Sequence, residues 1–305
     1  FGCGRGGYVF DFIMESEHLE FADALKVLAQ KAGVTLQTQT RSEYQGTEKK
    51  ETLYRINRYV GRVFQTILLE RPAGKEALEY LKKRKVSLDV IKEFSIGFAP
   101  KDFDLKKLLL SKGFTSAELS KAGSPDRFYS RIIFPIFDVL GQTIGFTGRI
   151  LGEGEPKYLN SPETPLFNKS RILYGLNLAK GHIKEKDFVV LVEGQMDVVA
   201  LYQAGVKNVV ASSGTAITET QLQILSKYTP NFLLAFDADT SGEQATKKVI
   251  ELLLKLDLNS KVINFGSYKD AGELFEKKPT DWPQLAKSAE EGVEWWIGKE
   301  IALAG

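Results

Sequence analysis

The chain has 305 residues, more than one compact core usually organises, so about two domains are expected. With 43% hydrophobic and 26% charged residues it has the balance of an ordinary globular protein, and no uninterrupted apolar run reaches the roughly 18 residues of a membrane span. The net charge of +2 hides a split: residues 121–186 carry 10 Lys plus Arg against 6 Asp plus Glu, and residues 187–270 carry 7 against 10. A basic segment before an acidic one suits a polyanion held beside a carboxylate metal site, although differences this small also arise from ordinary variation in surface charge.

The N-terminal "FGCGRGGYVFDF" lacks the basic and apolar segments of a signal peptide. A lone cysteine, Cys3, cannot form an internal disulfide and is compatible with a cytoplasmic setting. "HLEFADALKVLAQKAGV" then reads as a helix with Phe21, Leu25, Leu28 and Ala29 on its apolar side and Gly33 as its stop. Polar "QTQTRSEYQGTEKKE" reads as a linker. Residues 52–70 and 75–94 give two further helical patterns, the second broken near Ser87. From "RFYSRIIFPIFDVLGQTIGFTGRIL" the pattern becomes strand-like, with "DVLGQ" as a hairpin turn. Further on, "DFVVLV", "NVVAS", "FLLAF" and "KVINF" alternate with helical stretches, which predicts a parallel sheet with crossover helices. The helix after Asp239 would bury Ala245, Val249, Leu252, Leu253 and Leu256, with Thr240 or Ser241 as its cap.

In an open parallel sheet, ligands bind along the edge formed by the carboxyl ends of the strands. Acids stand at three such ends: Glu193 after "FVVLV", Asp237 and Asp239 after "FLLAF", and Asp270 in the loop after "VINF". In extended chain, residues two apart face the same side, so Asp237 and Asp239 could address one point. Their repulsion would be relieved by magnesium, which prefers oxygen ligands and leaves positions for water and phosphate. The competing reading of each acid is a turn former or helix cap, and Asp197 could simply favour a helix N-terminus. Thr218 and Gln221 are spaced as a capping box. Arg127, Arg131, Arg149, Lys157, Lys169 and Arg171 lie among Phe128, Tyr129, Tyr158 and Phe167. Such mixing suits a single nucleic-acid strand, while solvated charge over an aromatic core is the alternative. Neither His18 nor His182 has zinc-ligand spacing with Cys3, so this stretch of chain is not expected to hold zinc by itself.

The motifs "EGQMDVVAL", "SSGTAIT" and "FDADTSGEQA" resemble the Toprim signature shared by primases, topoisomerases, recombination mediators and some nucleases. "DRFYSRIIFPI", "IGFTGRIL", "PKYLNSPETPLFNKS" and "EYLKKRKVSLDVIKEFSIGFAP" resemble segments specific to the catalytic core of bacterial DnaG-type primases, and "FGCGRGGYVFDFIMESE" resembles the tail of the zinc ribbon that precedes it. The resemblance implies an α/β fold: residues 1–40 as ribbon tail and connecting helix, 41–185 as a basic α+β subdomain, 186–268 as the Toprim parallel sheet, and 269–305 as the start of a helical subdomain. It implies Glu193 as catalytic carboxylate, Asp237 and Asp239 as ligands of Mg2+ (with Mn2+ as substitute), and Asp270 and Asp197 as supporting acids. Arg127, Arg131, Arg149, Lys157, Asn160 and Lys169 would hold template and nucleotide.

The reaction implied is synthesis of short RNA primers on single-stranded DNA from NTPs, by a monomer at the replication fork. Zn2+ would bind through Cys3 only in a longer protein, and a replicative helicase would dock on a domain absent from this sequence. Two features depart from the family pattern: "SKAGSPDRFYSR" is short, and Gly272 stands where a second acid is common. A Toprim nuclease or topoisomerase, or a non-catalytic DNA-binding scaffold, are the alternatives.

Overall fold

The computed structural model describes residues 8–17, 21–34, 41–212 and 216–304. It divides into two compact units, residues 1–49 and 50–305. In the first, α1 (Val9–Glu17) packs on α2 (Phe21–Lys31), with the Phe10 and Phe21 rings 5.5 Å apart. The chain leaves α2 through Gly33, whose φ of 67° is left-handed and ends the helix as the sequence suggests. The expected linker is corrected in part, because α3 (Arg41–Glu70) is helical from Arg41 onward. Its Glu, Lys, Gln and Arg are polar enough for a linker, yet they are also strong helix formers.

In the second unit, α3 buries Leu53, Ile56, Val60, Phe64, Ile67 and Leu68, the three-and-four spacing of one helix face. After α4 (Lys75–Lys83), the break expected near Ser87 is a helix cap: its hydroxyl accepts from Val90 N at 3.3 Å to start α5 (Leu88–Glu93). Then come β1 (Gly97–Ala99), α6 (Leu105–Ser111), α7 (Ser116–Lys121), β2 (Arg131–Phe137), β3 (Thr143–Ile150) and β4 (Tyr158–Asn160). The four strands form an antiparallel sheet in sequence order. The predicted hairpin joins β2 to β3, where Asp138 Oδ1 accepts from Leu140 N at 3.0 Å and Gln142 N at 2.9 Å. β2 reads as an unbroken apolar run because both sheet faces are covered. Ile133 joins the α3 core with Phe64 and Phe146, while Ile132, Phe134 and Ile136 face the core shared with α4 and α5.

The remaining elements are α8 (Leu176–Lys186), β5 (Val189–Val192), α9 (Gln195–Gln203), β6 (Val209–Ala211), α10 (Glu219–Ser226), β7 (Asn231–Leu234), α11 (Thr240–Lys255), β8 (Asn259–Val262), α12 (Ala271–Lys277), α13 (Trp282–Lys287), β9 (Glu290–Glu291) and α14 (Gly292–Ala304). Their strands form a second sheet, ordered β6-β5-β7-β8-β9. The first four are parallel, as expected, and β9 closes the edge antiparallel to β8. Val189, Leu191, Phe232 and Leu234 pack with α8, α10 and α11; Val190, Val192 and Leu233 face α9 and α12. Residues 269–304 are therefore part of this sheet's surroundings: α12 packs on α9, and Trp295 of α14 shares a core with Phe232 and Leu234. No helix among the described residues is long and apolar enough to cross a membrane.

Candidate active site

The strand order brings the carboxyl ends of β5 and β7 side by side, so Glu193 and Asp237 meet. Glu193 Oε1 accepts from the backbone N of Asp237 at 3.1 Å, tying the two ends together. The turn after β7 is tight. A Cβ on Gly242 would stand 2.0 Å from the carbonyl oxygen of Asp237, so only glycine lets the first turn of α11 rest on that backbone. On the far side, Ala238 N donates to Lys269 O at 2.7 Å, joining this turn to the one carrying Asp270.

The capping and the ligand readings of the acids turn out to be compatible. Asp239 Oδ1 accepts from Gly242 N at 2.9 Å and from Ser241 Oγ at 2.8 Å, which makes Asp239 the cap of α11 in place of the expected Thr240 or Ser241. Asp270 caps α12 by accepting from Glu273 N at 2.7 Å. Asp197, in the first turn of α9, accepts from Gly194 N at 3.2 Å and from the backbone of Gly272. A Cβ on Gly272 would lie 3.2 Å from both Asp197 Oδ1 and Asp270 Oδ1. The glycine that departs from the family pattern thus sits between two carboxylates. A cap uses one oxygen, and the other remains for further chemistry.

Crowding and burial shift these acids strongly. Burial, followed by the charges of Glu193, Asp270 and Asp239, pushes Asp237 up to about 6. Burial, then Asp270 and Asp237, pushes Asp197 up to about 7. Glu193 is raised by burial and by Asp239 and Asp270, against the Asp237 N–H that favours its ionised form. Asp239 alone is lowered, chiefly by the Gly242 N–H and the Ser241 hydroxyl. All donors are carboxylate oxygens, and burial first, then mutual repulsion, raises three of them. That set suits a hard divalent cation, which would relieve the repulsion. Among the described residues, no three of these groups stand close enough to enclose one ion. The fit is therefore to an ion held by one or two carboxylates and completed by water and phosphate.

The antiparallel sheet supplies the neighbouring wall. Thr147 pairs with Asn160 and Arg149 with Tyr158, and the period of two puts all four side chains on one face. Arg149 lies over the Tyr80 and Tyr158 rings at 5.3 and 5.5 Å and donates to the Tyr158 hydroxyl at 2.9 Å. The Tyr158 hydroxyl is raised chiefly by burial, against the pull of Arg149, with Asp197 a smaller contributor. Arg127 and Lys157 are exposed and Lys169 is half-buried.

Arg131 stands apart from the other basic residues. Expected as a template contact, it is 5% exposed, and its Nη1 donates to the carbonyls of Gly148 (3.1 Å), Pro156 (2.9 Å) and Lys157 (3.4 Å). It braces the loop that carries Lys157. Cys3 and the "SGT" of residues 213–215 lie outside the described residues.

Two buried glutamines make contacts beside the site that the sequence reading did not anticipate. Gln221, fully buried, completes the expected capping box with Thr218 but also donates through Nε2 to Lys169 O at 3.2 Å and Ile172 O at 2.6 Å, clamping the loop of Lys169 and Arg171. Gln195, buried at the start of α9, donates through Nε2 to Thr147 Oγ1 at 3.1 Å. The capping-box spacing pointed to Gln221; no spacing in the sequence pointed to Gln195.

Three family profiles match the chain: a CHC2 zinc finger over residues 1–44, the N-terminal domain of the DNA primase catalytic core over 63–180, and a Toprim-like domain over 190–275. A DNA primase of Clostridium acetobutylicum is 36% identical over 311 residues, spanning 98% of this chain and 51% of that protein. The chain thus spans about half the length of the curated relatives it matches. The zinc-binding and RNA polymerase domains of Aquifex aeolicus primase superpose with a TM-score of 0.73 at 32% identity, covering 95% of this chain and 72% of that one. A DnaG primase catalytic domain solved with single-stranded DNA gives 0.75 at 33% identity, covering 83% of each.

Proposed function

The chain belongs to the DnaG-type bacterial DNA primases, and on that premise we propose that it carries out template-directed nucleotidyl transfer, joining ribonucleotides from NTPs into short RNA primers on single-stranded DNA. One observation carries the reading: Gln195, two residues past Glu193 at the carboxylate edge, hydrogen-bonds Thr147 of the sheet whose face bears Arg149 and Tyr158, so the acids and the basic, aromatic face adjoin. Carboxylates alone would fit any Toprim enzyme. The adjoining Arg149 and Tyr158 on a sheet that matches the primase core select among them.

Asp237 and Asp239 would hold Mg2+, or Mn2+ in its place, with Glu193 and Asp270 beside them and Asp197 in support. When bound, such an ion supplies positive charge against the negative charge developing on a transferred phosphoryl group. The chain's own residues do the positioning. Arg127, Lys157 and Lys169 offer charge to phosphates, Arg149 and Tyr158 offer a cation and a ring, and Asn160 offers a fixed amide. The 3' hydroxyl of the growing strand attacks the α-phosphorus of the nucleotide, a P–O bond forms, and pyrophosphate leaves. Half-buried Glu193 stands at this edge and would accept the proton that the attacking hydroxyl gives up. Catalysis then rests on orientation and electrostatics more than on covalent chemistry.

Within a complete zinc ribbon Cys3 would contribute to a Zn2+ site, and the replicative helicase would be a partner; the same reading puts the activity in the cytoplasm, with the protein acting as a monomer. The test is extension of an RNA annealed to a single-stranded template, with labelled NTPs and Mg2+. Template-dependent growth supports the reading. Cutting of the template would replace it with a nuclease, and tight DNA binding with no reaction would replace it with a scaffold.

A further inference from the structure

Gln195 is 2% exposed and Thr147 is fully buried, yet both are polar. Their pairing is directional. Gln195 Nε2 donates to Thr147 Oγ1 at 3.1 Å, and Thr147 Oγ1 spends its own proton on Asn160 Oδ1 at 2.6 Å. The chain starts two residues after Glu193 and ends on β4, two residues after Tyr158 and three after Lys157. It therefore runs from the carboxylate edge into the face bearing Arg149 and Tyr158. Apart from packing, it is a specific polar bond between the two walls.

Resting on the function proposed above, we propose that Gln195 is a positioning residue for nucleotidyl transfer. Its amide sets the direction of the Gln195–Thr147–Asn160 chain and so fixes the Asn160 amide and the register of the basic sheet against the carboxylates. An amide suits position 195 because a donor there pairs with Thr147 and, unlike an acceptor, leaves the Thr147 proton for Asn160. A carboxylate of the same shape would reverse the chain. Thr147 would then donate to residue 195, and Asn160 would turn its NH2 toward Thr147.

The experiment compares wild type with Gln195→Leu, Gln195→Glu, Thr147→Val and Thr147→Ser. It measures melting temperature, single-stranded DNA affinity, and kcat and KM for NTP in extension. Losing one buried hydrogen bond or one methyl costs about 1–3 kcal/mol, less than the stability of an ordinary domain, so all four variants should melt cooperatively. Gln195→Leu, Gln195→Glu and Thr147→Val should each lose about tenfold or more in kcat, with DNA affinity within about twofold, as expected when the fold is kept but the reacting groups are misplaced. Thr147→Ser keeps the hydroxyl and should retain most of the activity. The Gln195→Leu, Thr147→Val double variant should be no worse than either single one. Activity of Gln195→Leu near wild type, or kcat losses that add in the double variant, would overturn the proposal. A wild-type chain that binds DNA but extends nothing would instead refute the functional reading on which it rests.

Discussion

Replacing Arg131 by Met keeps the aliphatic stem and removes the guanidinium, which isolates the buried charge as the variable. In the native fold Nη1 serves three carbonyls, and their fates differ. Lys157 O keeps its bond from Ile150 N at 3.0 Å, and exposed Pro156 can turn to water. Gly148 is buried in β3, but its carbonyl lies opposite Leu159 in the β3–β4 ladder and keeps a backbone partner, so the cost is that of the lost charge-assisted bonds, about 1–3 kcal/mol. Removing the desolvation of a buried cation offsets part of that cost. The net expectation is about 2 kcal/mol of lost stability, measured as a lower urea midpoint at unchanged slope. Arg131→Ala adds a cavity and should lose about 1–2 kcal/mol more. Affinity for single-stranded DNA, with its dependence on salt, separates this account from the contact the sequence suggests. A phosphate contact would reduce the salt slope by about one. A stable Arg131→Met variant with a shallower salt slope would show that the side chain leaves its carbonyls to meet DNA and would refute the bracing role.

Three further outcomes follow from the same geometry. Gly242→Ala should disrupt the turn after β7, because a Cβ 2.0 Å from Asp237 O forces the backbone apart; the expected loss is about 1–3 kcal/mol with activity abolished, checked by urea unfolding and extension. With the Asp237 carboxyl pushed up to about 6, protons compete with cations below that pH, so Mg2+ affinity by calorimetry should weaken about tenfold from pH 7 to pH 5. A flat profile would remove Asp237 from the ligand set. Asp197, raised to about 7, holds a proton in the folded chain that the unfolded chain has released between pH 4 and 7. Folding stability without metal therefore falls as pH rises through that window. Asp197→Asn should be about 1 kcal/mol less stable than wild type at pH 4, having lost one acceptor, and should gain on it steadily toward pH 8.

The parallel strands were legible because a strand buried on both faces must be continuously apolar, as "FVVLV" and "FLLAF" are. β9 was not: two exposed glutamates pairing with an edge carry no pattern. The acids at the strand ends could be picked out from topology alone, since a parallel sheet determines which loops share an edge. Which acid also caps a helix depended on where the helix begins. Asp239 proved to be the cap, one residue ahead of Thr240, a shift smaller than helix boundaries can be read to. Arg131 misled for a different reason. An arginine opening a strand among basic and aromatic residues looks like a contact, and its burial is decided by carbonyls 17 to 26 residues away in sequence. Gln195 is the same lesson in reverse, since its partner Thr147 lies 48 residues earlier on another sheet.

The most direct test of the central claim substitutes Asp239 by Asn and measures Mn2+ binding by calorimetry together with primer extension. Asparagine caps helices as well as aspartate, so α11 and the melting temperature should be preserved. The account predicts a cooperative fold, unchanged DNA affinity, metal binding weakened about tenfold or more, and no extension. Full extension and undiminished Mn2+ binding by this variant would contradict it, leaving Asp239 as a cap and nothing else.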